Sequence, residues 1–181
     1  MEILLNEDGT VRVLMVATAE MKKACRGADP SIYLCDTTFK FESRGYKLCS
    51  LLYLNPITNK GEMAQMSFLS DETEDSYTFA FNATKKIIRR NPAVLMIDKD
   101  FTEIAVIQKL FPSTTILLCW FHVLKFWKTL LSTARVDQDV RAEIMDSLRK
   151  LLYSRNQELF TENLTAVYTL IQVLYLLSST E

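Results

Sequence analysis

The chain has 181 residues, 49% hydrophobic and 24% charged, with four Gly and four Pro. That balance fits one globular domain and excludes disordered, collagenous and repeat architectures. Lys plus Arg number 21 against 22 Asp plus Glu, a net charge of -1, which excludes the strongly basic footprint of a DNA-coating protein, so any nucleic-acid contact must be local. Cys25, Cys35, Cys49 and Cys119 lack CxxC spacing, and the N-terminus lacks the charged-then-apolar pattern of a secretory leader. Free thiols in an intracellular, reducing compartment are expected, with no secretion. The uncharged stretch 163–180 is broken by Asn163, Thr165, Thr169 and Gln172, so no membrane span is expected.

Residues 1–30 read as a lead-in, with a short β-branched strand at 11–16 and a brief helix at 19–26. Residues 31–39 carry Ile32, Tyr33, Leu34 and Cys35, a strand covered on both faces, and run straight into Asp36. Strands at 45–54 and 62–69 are joined by turn residues including Asn55, Pro56, Asn59 and Gly61. The short link through Ser43, Arg44 and Gly45 makes the three strands an antiparallel meander. Ser70 is the expected cap of a helix with acidic first turns (Asp71, Glu72, Glu74, Asp75) and a basic end (Lys85, Lys86, Arg89, Arg90), a charge order that suits the helix dipole. Its core face is Tyr77, Ala80, Phe81, Thr84, Ile87 and Ile88.

A buried strand at 93–97 ends at Asp98, a helix occupies 100–110, and another buried strand at 114–118 ends at Cys119. The helix at 120–132 is expected to carry Phe121, Leu124, Trp127, Leu130 and Leu131 on one side and Lys125 and Lys128 on another. Helices at 136–153 and 157–177 follow, the last apolar on most sides. The fold class is α/β: a mixed sheet of a three-stranded antiparallel meander plus two parallel strands, flanked by helices, with a C-terminal helical extension. The partition is lead-in 1–30, core 31–135 and helical extension 136–181, read as a truncated insertion with a soft boundary near Arg135.

If the strands ending at Asp36 and Asp98 lie side by side, two carboxylates meet in the middle of the sheet. Both stay ionised in a shared site only when a cation neutralises them, and oxygen ligands on rigid strands suit Mg²⁺ or Mn²⁺. In the structural alternative, Asp36 is a strand-end acid and Asp98 the N-cap of the helix that begins near Asp100.

The ordered set Cys35-Asp36-Thr37-Thr38-Phe39-Lys40, Ile97-Asp98-Lys99-Asp100, Phe111-Pro112 and Leu118-Cys119-Trp120-Phe121-His122-Val123-Leu124-Lys125 resembles the transposase domain of Mutator-like elements, the MULE type, over 11–131. Domesticated relatives of that domain include far-red-impaired plant regulators and SWIM-zinc-finger-associated animal proteins. The resemblance implies a ribonuclease-H-like core with an Asp, Asp, Glu metal site that cuts DNA and joins its 3′ ends to a target, a DNA partner and a nuclear location. By motif position Asp36 resembles the first metal acid, Asp98 the second, and Cys119 with His122 the family's Cys-x-x-His pair.

Three departures stand out. Thr37 occupies the place where the family has Gly or Ala, no third acid is identifiable, and His122 is the only histidine, so no SWIM finger is present. Glu158 and Glu162 are available but sit in no motif context. Cys119 and His122 supply half a tetrahedral zinc site at best, so no structural zinc is expected and the pair reads as structural or hydrogen-bonding. Lys125, Lys128 and Arg135 suit either DNA phosphates or a solvated helix face, and Trp120, Phe121, Phe126 and Trp127 read as core. The expected function is a MULE-type transposase domain derived from a metal-dependent DNA strand-transfer enzyme, incomplete and inactive alone. The alternative is a domesticated, non-catalytic DNA- or protein-binding regulatory module. A missing domain or protein partner is expected over the C-terminal helix.

Overall fold

The computed structural model describes residues 1–38, 43, 45–98, 100–134 and 136–178, without the side chains of 173–178. Phe39, Lys40, Arg44, Lys99 and Arg135, named above, lie outside the described residues. Two short strands, β1 (Glu2–Leu5) and β2 (Val11–Val16), form an antiparallel hairpin. Its turn closes because Gly9 takes φ +82°, open to a residue without Cβ, while the Asn6 amide donates to the Thr10 carbonyl at 2.9 Å. The first residues are therefore part of the sheet and not a lead-in to it. A four-residue strand at the chain start is too short to show an alternating pattern.

Helix α1 (Ala19–Ala28) starts where the Thr18 hydroxyl accepts from the Met21 amide at 3.2 Å, and it stops at Asp29 in the left-handed region. Strands β3 (Ile32–Thr38), β4 (Lys47–Leu54) and β5 (Gly61–Leu69) form the expected antiparallel meander. Helix α2 (Glu74–Lys85) is capped by Thr73 and not by Ser70. Asp71 explains the shift: its Oδ1 accepts from the Thr73 amide, the Thr73 hydroxyl and the Ser76 hydroxyl, so it organises the turn into the helix. Partial burial opposes its charge, yet these bonds and Arg12 hold the Asp71 carboxyl well below the usual range. At the far end Arg26 donates to the carbonyls of Ile87 and Lys86 at 2.9 and 2.5 Å, meeting acceptors that the end of the helix leaves open. The neighbouring basic cluster is tied locally, with Lys86 paired to Glu2 and Arg90 to Asp29.

Strand β6 (Val94–Ile97), helix α3 (Phe101–Leu110) and strand β7 (Thr115–Leu118) complete a seven-stranded sheet in the order β1-β2-β5-β4-β3-β6-β7. β3 pairs antiparallel with β4 and parallel with β6, and β6 pairs parallel with β7. Burial alternates along the strands. Val13, Met15, Tyr33, Cys35, Leu51, Tyr53, Leu95 and Ile97 belong to one core with Tyr77 and Phe81 of α2 and Val106 and Ile107 of α3. The residues between them on each strand are half-buried on the opposite face.

The chain divides into two units, Met1–Cys119 and Trp120–Glu181, a boundary ahead of the one expected near Arg135. The second unit holds α4 (Trp120–Thr133), α5 (Gln138–Leu152) and α6 (Gln157–Ser178), with α5 packed on both α4 and α6. The helix at 120 thus groups with the helices that follow it. Ile144, Leu151 and Val167 are buried, but no residue of α4 is, against the core reading of Trp120, Phe121, Phe126 and Trp127. Helical periodicity identifies an apolar side without showing that anything covers it. Among the described residues no helix is long and apolar enough to cross a membrane.

Candidate metal-binding acid pair at the strand ends

Asp36 lies near the end of β3 and Asp98 immediately follows β6. The parallel register pairs Ile32 with Val94, Tyr33 with Leu95 and Leu34 with Met96. Carried two residues further, it sets Asp36 against Asp98, on the half-buried face shared by Leu34 and Met96. Neighbouring strands are about 4.8 Å apart, so two carboxylates at this level can share one cation. Carboxyl ends of adjacent parallel strands are where open α/β sheets receive ligands.

Each acid has a local anchor. The Thr38 hydroxyl donates to Asp36 Oδ2 at 3.1 Å. Asp98 Oδ1 accepts from the Asp100 amide at 2.9 Å, and Asp100 Oδ1 accepts from the Glu103 amide at 2.9 Å. The N-cap of α3 is therefore Asp100. Asp98 is not that cap: it forms the turn just before it, which leaves its second oxygen outside the capping arrangement.

Sequence reading missed Glu103. It is 2% exposed, and its Oε1 has no hydrogen-bond partner. Burial pushes its carboxyl up to about 7, helped by the negative charges of Asp98, Asp100 and Glu72 and opposed by the thiol of Cys35. Cys35 lies 3.4 Å from Cys49, sulfur to sulfur, and that hydrogen bond together with burial holds the Cys35 thiol well above its usual range. Glu103 is thus an acid in the core behind the strand that carries Asp36. The available signal was Asp100-x-x-Glu103, a capping-box spacing, which implies a solvent-facing glutamate. Glu72 is engaged with Lys47.

Cys119 falls beside Asp98, since Ile97 pairs with Leu118 and the Cys119 amide donates to the Ile97 carbonyl at 2.7 Å. His122, Lys125 and Lys128 lie on α4 in the second unit. Glu158 and Glu162, the available third acids, lie on α6 in that same unit. Among the described residues no three His, Cys, Asp or Glu side chains are grouped to hold a metal. The donor set is an acid pair, which suits a hard cation such as Mg²⁺, bound through one or two carboxylates with water and phosphate oxygens completing its shell, and does not suit a cage built of protein ligands alone.

The family described as the RNaseH-like domain of zinc finger SWIM domain-containing protein 1/3 matches residues 1–117, which is nearly the first unit. Among solved structures the chain is similar to the crystal structure of the fowlpox virus Holliday junction resolvase, at 14% identity over 75% of this chain and 96% of that chain, with a TM-score of 0.31. No curated protein matches the chain.

Proposed function

The chain belongs to the RNaseH-like domain family of zinc finger SWIM domain-containing protein 1/3, and from that premise we propose a nucleic-acid-processing ancestry of the Mutator-like transposase type. Asp36 and Asp98 are the residues that would hold Mg²⁺ or Mn²⁺, DNA is the partner, and the nucleus is the place of action. The observation that supports this reading is the parallel pairing of β3 with β6 up to Leu34 and Met96, two residues short of each acid. When bound there, the cation supplies charge neutralisation and Lewis-acid assistance at a phosphodiester. The chain's own part is to hold two carboxylates at the ends of paired strands, Asp36 steadied by Thr38 and Asp98 by the Asp100 amide.

Two acids leave a cation and a transferring phosphate loosely held, and metal-assisted displacement depends on that positioning. Catalysis by this chain alone is therefore weak or absent. The test is Mn²⁺ titration followed by calorimetry, with a DNA strand-nicking assay in parallel. We expect saturable binding that is lost in Asp36→Asn and in Asp98→Asn, with little nicking by the unaltered chain. Metal binding unchanged in both variants would overturn the site. Robust nicking that vanishes in Asp36→Asn would overturn the inactivity and direct attention to Glu158 or Glu162. The second reading, a domesticated non-catalytic binding module, is favoured by the lack of a third grouped ligand among the described residues. It predicts DNA or protein binding that is indifferent to both substitutions.

A further inference from the structure

Helix α4 presents chemistry that the acid pair does not use. It contains two lysines, one histidine and no acid. At about 3.6 residues per turn, Phe121, Lys125, Lys128 and Ser132 follow one another at steps of four, three and four and form a single stripe, so Phe121 shares the lysines' side and not the separate apolar side expected for it. All four are exposed, Phe121 to 58%. The ion pairs of the described residues engage Arg12, Lys47, Lys86, Arg90, Lys109 and Arg149, and neither lysine of this stripe. The Phe121 ring meets the His122 ring at 71° with centroids 5.5 Å apart and still keeps its exposure, while the neighbouring Trp120 ring leans on Tyr153 with centroids 6.0 Å apart.

We propose that the stripe binds a single nucleic-acid strand, with a base stacked on Phe121 and successive phosphates on Lys125 and Lys128. This rests on nucleic acid being the substrate class of the chain, but not on a metal at Asp36 and Asp98. An exposed aromatic face set among unpaired cations is the combination that holds single strands: stacking tolerates any base, and the lysines track the backbone. A duplex keeps its base faces stacked inside and offers Phe121 nothing to stack on. Lysine is depleted in the cores of protein interfaces, so a protein partner fits the stripe less well. Along the helix axis the two intervals rise about 6 and 4.5 Å, within reach of flexible lysine stems placed on consecutive phosphates.

The test is fluorescence anisotropy of the full chain with a labelled oligothymidylate in EDTA, which separates strand binding from any metal chemistry. Phe121→Ala should weaken binding about tenfold or more, while Phe121→Trp retains it. On an abasic strand of equal length, Phe121→Ala should change binding by less than about twofold, because no base is there to stack. Replacing Lys125 and Lys128 together by Ala should reduce the slope of log affinity against log salt by about 1.4. Far-UV circular dichroism checks that each variant keeps its helices. The proposal fails if duplex binds as well as the single strand, if Phe121→Ala is silent, if the abasic strand loses as much as the oligothymidylate, or if Phe121→Ala instead dissolves a dimer seen by light scattering. Strand binding without Mn²⁺ binding would sink the metal reading alone, and Mn²⁺ binding with a silent Phe121→Ala would sink this one alone.

Discussion

Glu103 is the residue whose surroundings depart furthest from its sequence position. Its folded carboxyl is raised to about 7 from an ordinary 4.5, so the native state holds the proton more tightly than the unfolded chain. The stability it contributes is complete below about pH 4.5 and is lost as pH rises through about 7. The expected outcome is a urea midpoint that falls across that window, and a Glu103→Gln variant that flattens the fall. At pH 8 the variant should gain stability of roughly 3 kcal/mol at most. A variant no more stable than the parent at pH 8 would show that the buried charge is already compensated. Asp36 and Asp98 were legible as acids ending apolar runs, because strand burial and strand end are both local signals. Glu103 was not, since whether the third residue of a helix faces water depends on what packs against it, here the Cys35 strand.

Periodicity locates an element, while side-chain hydrogen bonds decide where it ends. The meander, α2, α3 and the two parallel strands followed from periodicity and turn residues, and their bounds moved by a few residues. Caps moved by two or three residues as well, because side-chain hydrogen bonds choose among neighbouring candidates: Asp71 hands the cap of α2 to Thr73, and Asp98 hands that of α3 to Asp100. The division of labour at α3 can be tested. Asp100→Ala removes the bond to the Glu103 amide and should cost about 1 kcal/mol in thermal or urea unfolding. In a metal-free buffer Asp98→Ala should cost less, since it ends a turn and caps nothing. Equal losses would return the cap to Asp98. For α4 the pattern located an apolar side, and the burial it implied is missing.

At the scale of the whole chain, the larger buried cluster lies in the first unit, and the second buries Ile144, Leu151 and Val167 while leaving several large apolar side chains in water. On α6, Val167 is buried, but Tyr168 is 61% and Ile171 48% exposed. Covering such a side chain is worth roughly 1.5 to 3 kcal/mol, enough to favour association. Light scattering should find the isolated chain self-associating, and replacing Tyr168 and Ile171 together by Ser should shift it toward monomer while the unfolding of the first unit stays put. A clean monomer before substitution would show that this surface needs no cover. The sequence had pointed to this exposure, because a helix apolar on most sides asks for more cover than one neighbour supplies. The central strand has a different consequence, which concerns the order of events during synthesis. β3 ends at Thr38, yet one of its two neighbours begins only at Val94. A growing chain must therefore carry Asp36 on an unfinished sheet edge until β6 emerges. Pairings so distant in sequence close slowly and leave that edge open to wrong partners in the meantime. The pairing of these strand ends is among the last features of the first unit to come into being, so a chain stalled before Val94 would possess Asp36 without Asp98 beside it.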